Sequence, residues 1–287
     1  MRLGDERESQ NVEDRRGGGG LPIGVAGGGI GTIALVVLGL LFGIDPSVIL
    51  SSVGGGDAVQ QRAPAPSANR SSGPPGQPDE MRQFVSRVLA STEDVWTAVF
   101  QANGRRYDPP RLVLFSGGVQ SACGAASTAV GPFYCPGDRQ VYLDLAFFRD
   151  MERQLGASGD FAQAYVIAHE VGHHVQNEMG IMRRADALRA RGGEVEVRAV
   201  SVRVELQADC FAGVWANRAN QSRAILERGD IEEGLNAAAA VGDDRIQRRS
   251  QGQVVPESFT HGSSAQRVRW FRRGLQSGDV QPCDTFG

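Results

Sequence analysis

Residues 160–177 read DFAQAYVIAHEVGHHVQN, and our expectation of the fold begins with this stretch. Its apolar residues recur at helical spacing, Asp160 with Gln163 fits an N-terminal capping box, and Gly180 follows its end. This pattern predicts an amphipathic helix that begins at Asp160 and ends at about Asn177. The same stretch carries three of the four histidines in the chain.

The segment His169-Glu170-Val171-Gly172-His173 is typical of a zinc site on a helix. His169 and His173 lie about 40° apart and one turn along, so both rings can reach one ion. Glu170 lies roughly 60° round from His173, where its carboxylate can accept the proton of a zinc-activated water. His174 lies about 100° further round, so we interpret it as a supporting or structural residue. The alternative is that the paired histidines are ordinary helix residues.

A catalytic zinc usually has three protein ligands, so a third ligand must lie elsewhere. The longer His-rich motif is excluded, because Gln176 and Met179 occupy its glycine and third-histidine positions. The best candidate is Glu205, which with Asp209 borders an apolar stripe on a predicted helix. Two carboxylates beside a core face are costly unless a cation or hydrogen-bond donors meet them.

We therefore predict Glu205 as the third ligand and Asp209 as the acceptor for the free N–H of one ligand histidine. A solvated carboxylate pair on an exposed edge is the alternative. Glu194 and Glu196 are weaker ligand candidates, because they lie in a glycine-flanked stretch without helical support.

His261 is the remaining histidine, in the segment Ser258-Phe-Thr-His-Gly262 just before a predicted helix. It can donate a hydrogen bond to the oxyanion that forms when a carbonyl is attacked, or it can be a loop or capping residue. Arg267 and Arg269 on the following helix can pair with acidic groups near the site, or can be solvated.

Four cysteines occur without any Cys-x-x-Cys spacing, which argues against a structural zinc knot. Cys123 and Cys135 flank a loop of small residues, so we pair them, and Cys210 then pairs with Cys283. Four cysteines allow three pairings, and buried free thiols are the alternative.

The chain divides into four segments. Residues 1–20 are polar and predict a disordered cytoplasmic tail, residues 21–45 a transmembrane anchor, and residues 46–79 a flexible linker rich in Gly, Ser and Pro. Residues 80–287 predict one zinc-site domain. It contains strands at about 111–115 and 140–145 and one helix before them at 81–101. Helices follow at about 160–177, 201–218, 230–241 and 263–274. Strands first and helices afterwards indicate an α+β domain.

Residues 23–44 form an apolar stretch that spans about 33 Å as a helix, enough for the hydrocarbon core of a bilayer. A cleaved signal peptide and a buried core helix are the competing interpretations. Arginines are concentrated before this stretch, which predicts a cytoplasmic N-terminus, a single pass through the bacterial inner membrane and an extracytoplasmic, periplasmic domain. Small-residue spacings such as Gly27/Gly31 also fit self-association of the anchor. The net charge of −3 gives no basic footprint for nucleic acid.

Several segments resemble a known family, the neutral zinc metallopeptidases of bacteria (YpfJ-like proteins). They are His169–Gln176, Glu205–Asp209 with the following Cys-Phe-Ala-Gly, Ser258–Gly262 and the opening Arg7-Glu-Ser-Gln-Asn-Val12. The resemblance implies a zincin fold with a glutamate as third ligand, built from a small sheet, the active-site helix and a helical C-terminal part. It also implies one Zn²⁺ per chain and a single membrane anchor. In related zincins a substrate strand lies along the sheet edge, which would involve residues 140–144 here.

These observations favour hydrolysis of peptide bonds in a protein or peptide substrate outside the inner membrane. A zinc-bound module that binds envelope proteins without cutting them is a second hypothesis, and the retained Glu170 argues against it. A zinc amidase acting on cell-wall cross-links is a third.

Overall fold

The computed structural model describes residues 1–16 and 79–287. Within these two ranges, no helix combines the length and the apolar character needed to cross a bilayer. The anchor predicted at residues 21–45 lies outside the described ranges, as does the predicted linker up to residue 78.

Four strands form the main sheet, in the order β1-β2-β6-β5. They are β1 (Val12–Asp14), β2 (Arg111–Phe115), β5 (Phe133–Cys135) and β6 (Gln140–Asp144). β1, β2 and β6 are parallel, and β5 runs antiparallel to β6 at one edge. A separate antiparallel hairpin consists of β3 (Gly118–Ser121) and β4 (Gly124–Ser127). The predicted strands β2 and β6 are confirmed, and β1, β3, β4 and β5 were not predicted.

The described residues form eight α-helices. They are α1 (Glu80–Ala102), α2 (Ala146–Leu155), α3 (Asp160–Glu178), α4 (Ile181–Arg189), α5 (Glu194–Arg223), α6 (Asp230–Ala240), α7 (Asp243–Gln251) and α8 (Ser264–Ser277). The helices predicted for α1, α3, α6 and α8 are confirmed to within a few residues. α5 is longer than the predicted 201–218 at both ends, because it begins at Glu194 and ends at Arg223. Strands together with predominant helices confirm the α+β class.

Helix α3 passes through the middle of the domain, with α5 and α6 packed against it and α8 packed against α5. α5 and α8 cross very closely at two glycines, Gly213 and Gly274. A β-carbon on Gly274 would lie 1.9 Å from the carbonyl oxygen of Cys210. Glycine at this crossing therefore permits a backbone separation that no other residue would allow. The large buried side chains around the crossing include Trp96, Phe161, Phe211, Trp215 and Phe271.

The N-terminal residues belong to this folded unit. β1 pairs with β2, and the side chain of Leu3 is buried in the core. Three side chains hydrogen-bond to the buried carboxylate of Glu93 in α1, namely Arg7, Ser9 and Asn11. The expectation of a disordered tail at residues 1–20 is therefore wrong for residues 1–16. The segment before β1 is held by polar contacts with Glu93, and neither it nor the short strand has a local apolar pattern that would predict it.

The start of α3 differs from the expected capping box. Gly159 is the N-cap residue, with φ of 107°, and Asp160 is already the first helical residue. The Asp160 carboxylate accepts a hydrogen bond from the amino group of Met1 at 2.7 Å instead of capping its own helix. Both expected disulfides are present, Cys123–Cys135 and Cys210–Cys283.

Candidate metal centre

Helix α3 carries both histidines and the glutamate of the sequence motif into the interior. His169, Glu170 and His173 are each less than one-tenth exposed, and the apolar residues around them fix the helix on several sides. Because the two histidines are one turn apart, their rings stand side by side with centroids 4.7 Å apart. A single ion can therefore be reached by both.

Helix α5 brings Glu205 to the same point. One carboxylate oxygen of Glu205 is 3.2 Å from Nε2 of His169, and the other is 3.4 Å from Nε2 of His173. The three candidate ligand atoms all lie within 4.8 Å of one another. Two imidazoles and one carboxylate, converging with their free atoms, fit a catalytic zinc site in donor type and number.

Gly172 makes the approach of the two helices close enough for this geometry. A β-carbon at this position would lie 3.0 Å from the carbonyl oxygen of Ala208 and 3.2 Å from its α-carbon. The absence of a side chain at Gly172 thus lets α5 lie directly against α3. Glu205, one turn before Ala208, is held at the histidines as a result.

The second ring nitrogen of His169 is held by Asp209, which was predicted to accept from a ligand histidine. Oδ1 of Asp209 is 2.9 Å from Nδ1 of His169. The same carboxylate accepts a hydrogen bond from the hydroxyl of Tyr165 and two from the guanidinium of Arg267. Asp209 is fully buried, so these four contacts replace the water that it gives up. They leave Nε2 of His169 as the nitrogen that faces the site.

The electrostatics of this centre favour a bound cation. Burial opposes charge on Glu205, but the two neighbouring histidines outweigh it and hold the pKa of this carboxyl well below its usual value. Burial also acts to lower the pKa of His169, yet hydrogen bonds to Asp209 and Glu205 raise it to about 10. Negative charge at the centre therefore favours a bound positive charge.

The pKa of Glu170 shifts in the direction opposite to that of Glu205. Burial raises the pKa of its carboxyl above the ordinary value, with the nearby histidines only partly offsetting this effect. The side chain lines the same cavity as the three candidate ligands. A buried carboxylate beside a metal position, with a raised proton affinity, is suited to general-base chemistry.

His261 also lines this cavity, and its partner is Asp243, which was not predicted from the sequence. Oδ1 of Asp243 is 3.1 Å from Nδ1 of His261, while its Oδ2 accepts three backbone N–H groups of residues 260–262. Burial lowers the pKa of His261, but Asp243 and Glu205 outweigh it and raise the pKa above its usual value. Asp243 lies in the acidic first turn of α7, where a helix-stabilising role is the ordinary interpretation.

The remaining candidates lie away from the centre or support it indirectly. His174 is fully buried between the hydroxyl of Tyr134 and the carbonyl of Asp108.

Glu194 and Glu196 lie exposed in the first turn of α5, so the expectation that this stretch lacks helical support is wrong. Arg267 is buried against Asp209, whereas Arg269 is exposed. Tyr165 was missed, although its position one turn before His169 on α3 is a signal that could have found it.

The site opens into a cavity of about 310 Å³. The cavity is lined by the segment from Val130 to Tyr134 and by residues of α2, α3, α5, α7 and α8. Strand β5 is the edge of the sheet, because β6 pairs with β2 on one side and with β5 on the other. The expectation that residues 140–144 provide the edge is therefore wrong. The apolar side chains of the cavity include Phe147, Leu155, Val166, Val241 and Ile246.

Fold and site together define an α+β protein with a centre of two histidines and one glutamate that could hold zinc. The sequence model of the family described as "Putative neutral zinc metallopeptidase" matches residues 1–286, and the chain belongs to this family. It is 48% identical to "Uncharacterized protein YpfJ" of Escherichia coli (strain K12), over 100% of this chain and 99% of that protein.

More distant relatives come from mycobacteria. The chain is 42% identical to "Uncharacterized protein Rv2575" of Mycobacterium tuberculosis (strain ATCC 25618 / H37Rv), over 86% of this chain and 84% of that protein. The same values hold for "Uncharacterized protein Mb2605" of Mycobacterium bovis. No solved structure matches the chain.

Proposed function

We propose that this chain is a zincin-type peptidase that holds one zinc ion with His169, His173 and Glu205. The observation that carries the proposal is the convergence of three ligand atoms beside a buried glutamate that has no place among the ligands. A site that only bound zinc for structural reasons would have no use for Glu170. The family description supports the same class of activity.

A zinc ion at this centre would act as a Lewis acid and would lower the pKa of a bound water towards ~7. Glu170 takes the proton of the attacking water and passes it to the leaving amine. Its raised pKa makes it a stronger base than an exposed glutamate. The Asp209 carboxylate keeps His169 in one orientation throughout, because it is itself fixed by Tyr165 and Arg267.

His261 donates a hydrogen bond to the carbonyl oxygen of the substrate as negative charge develops there. The carboxylate of Asp243 beside Nδ1 raises the pKa of His261 against the effect of burial, which favours the protonated ring as a donor for this bond. Asp243 orients the ring through Nδ1, which directs Nε2 away from the carboxylate. This support comes from the position of His261 in the wall of the cavity.

The substrate lies in an extended conformation along β5. β5 is an edge strand whose residues Phe133 and Tyr134 line the cavity, and a peptide that adds to a sheet edge pairs with the backbone groups of the edge strand. The apolar walls of the cavity accept a large apolar side chain next to the cleaved bond. Cleavage outside the cytoplasm and insertion of residues 23–44, which lie outside the described ranges, into a bilayer are further parts of the proposal. A single pass with a cytoplasmic N-terminus is not part of it, because β1 pairs with β2 within the domain.

The test uses the purified chain and its Glu170→Gln variant. We expect both to bind about one zinc, measured by elemental analysis, and only the unsubstituted chain to cleave an unfolded protein. Glu178→Gln on the same helix is the matched control, since Glu178 lies at the far end of α3 and contacts Arg139. Equal cleavage by Glu170→Gln would refute the mechanism.

The same experiment separates the other hypotheses. If neither protein cleaves peptides although zinc is bound, mass spectrometry of digested cell-wall fragments tests amidase activity. If cell-wall fragments are also intact, the non-catalytic binding module is favoured.

A further inference from the structure

The second ligand histidine is supported by a residue that the proposed mechanism does not use. Gln176 lies three residues after His173 on α3 and is fully buried. Its Oε1 is 2.9 Å from Nδ1 of His173. His173 thus has a neutral amide where His169 has the charged Asp209. This contact alone does not determine whether the oxygen or the nitrogen of the Gln176 amide faces His173.

The other end of the Gln176 amide settles its direction. Nε2 of Gln176 donates to the backbone carbonyl of Val204 at 2.8 Å and to Oε1 of Gln207 at 3.0 Å. A backbone carbonyl can only accept, so the NH₂ group must face Val204 and the oxygen must face His173. An amide oxygen can only accept as well. Nδ1 of His173 therefore carries the proton, and its Nε2 is the nitrogen free for a metal.

Gln207 continues this row of hydrogen bonds in the same donor-to-acceptor direction. Its Nε2 donates to the backbone carbonyl of Cys283 at 3.0 Å. Cys283 is fully buried and is joined to Cys210 of α5 by a disulfide. This row of hydrogen bonds therefore begins at the backbone carbonyl of Cys283, a residue held by a disulfide. Because that carbonyl can only accept, it fixes the direction of every hydrogen bond from Gln207 through Gln176 to His173.

Gln176 also connects the two helices that provide the ligands. Val204, whose carbonyl it contacts, directly precedes Glu205 on α5. One buried amide on α3 thus touches His173 on its own helix and the backbone next to Glu205 on the other. A change in this amide alters the orientation of one ligand and the helix contact that positions another.

We infer that Gln176 and Gln207 are positioning residues for the metal centre, and that the Cys210–Cys283 disulfide supports zinc binding through them. The inference rests on the proposed zinc site. Residues that orient ligand histidines typically contribute about 10- to 100-fold to metal affinity. The hydrogen bonds through Gln176 and Gln207 predict that the contribution to metal affinity extends from the centre to the Cys210–Cys283 disulfide.

The experiment measures zinc affinity by competition with a chromophoric chelator in the full chain. Gln176→Met and Gln207→Met retain side-chain length and remove the hydrogen bonds. We expect Gln176→Met to bind zinc roughly 10- to 100-fold more weakly and Gln207→Met to bind it several-fold more weakly. Gln163→Met, on α3 but six residues before His169, is the matched control and keeps the original affinity.

The disulfide is tested in the same way. Cys210→Ala/Cys283→Ala should bind zinc more weakly, whereas Cys123→Ala/Cys135→Ala, which also removes one disulfide, should not. Bound Co²⁺ gives a second readout, because its visible absorption reports the geometry of the ligands. We expect this absorption to change in Gln176→Met and Gln207→Met while the far-ultraviolet circular dichroism of both variants is unchanged.

The outcomes separate this inference from the proposed function. If the unsubstituted chain binds no zinc, the proposed function fails. If the unsubstituted chain binds zinc and both methionine variants retain its affinity and its Co²⁺ absorption, the inference is overturned and the zinc site is not. Gln207 touches none of the three ligands, so weaker binding by a folded Gln207→Met variant supports transmission along the chain.

Discussion

Asp209 is the residue whose replacement has the most calculable effect. It accepts hydrogen bonds from Tyr165, His169 and Arg267 and has no exposed surface, and Arg267 is itself only 4% exposed. Asp209→Asn keeps the shape of the side chain but removes its charge and one accepting oxygen. The buried guanidinium of Arg267 then loses its hydrogen-bonded counter-charge and keeps only the carboxylate of Glu205, 3.9 Å away. Breaking a buried ion pair in this way costs about 3–5 kcal/mol of the free energy of unfolding.

That cost is a large part of the roughly 5–15 kcal/mol that stabilises a typical domain. The same substitution should weaken zinc binding about 10- to 100-fold, because His169 loses the charged acceptor that orients it. Urea unfolding in the presence of a chelator measures the first effect, and chelator competition measures the second.

A triple variant separates the two effects. Asp209→Leu/Arg267→Met/Tyr165→Phe replaces the buried polar group by apolar side chains of similar size. Buried ion pairs replaced in this way are often neutral or stabilising, so most of the lost stability should return. Zinc affinity should stay low, because Nδ1 of His169 still lacks an acceptor. Recovery of zinc affinity together with stability, or a loss below about 1 kcal/mol in Asp209→Asn, would refute the reasoning.

Four further outcomes are expected. Burial lowers the pKa of His174 from its ordinary 6.5 to about 4. As the pH falls, His174 is therefore protonated in the unfolded chain before it is protonated in the folded chain. The free energy of unfolding is highest above pH ~6.5 and decreases by up to about 3 kcal/mol as the pH falls towards 4. Urea unfolding at pH 7.5 and pH 5 should show a smaller difference in His174→Gln than in the unsubstituted chain, and an equal difference would contradict the assignment. Gly274→Ala should lower the free energy of unfolding by about 3 kcal/mol, because its β-carbon would meet the carbonyl of Cys210, while the exposed control Gln276→Ala should change little. His261→Gln should lower kcat roughly 10²- to 10³-fold with KM nearly constant, and a change in KM alone would argue for a binding role. Removal of zinc by a chelator should lower the melting temperature reversibly. Zinc at 100 times its Kd should then restore about 2.7 kcal/mol of the free energy of unfolding.

The sequence predicts the centre of this protein better than its periphery. The spacing of His169 and His173 defines a helix face by itself, and Glu205 was identified because a carboxylate beside an apolar stripe needs a partner. These inferences depend on local periodicity and on the cost of burial, both of which can be evaluated from residue order.

Contacts between distant segments could not be evaluated in this way. Asp243 lies 18 residues before His261 in an ordinary acidic first turn, so only the folded chain reveals their pairing. Strand β5 has three residues and no detectable alternation, and the sheet edge was consequently assigned to β6. The capping prediction at Asp160 failed because a distant amino group competes for its carboxylate.

The docked N-terminal segment has a consequence for the geometry of the chain at a membrane. Arg16 and Asp79 form an ion pair at 2.5 Å, so the last described residue before the stretch 17–78 and the first one after it lie next to each other on the domain. One crossing of a bilayer would put β1 on one face and its partner β2 on the other, which is incompatible with their pairing within one chain. A molecule folded in this way keeps both flanks of the apolar stretch in one compartment. Single cysteines introduced at the exposed positions Glu8 and Val195 should then react alike with a membrane-impermeant thiol reagent in intact cells, and opposite reactivity would require β1 to detach from the sheet.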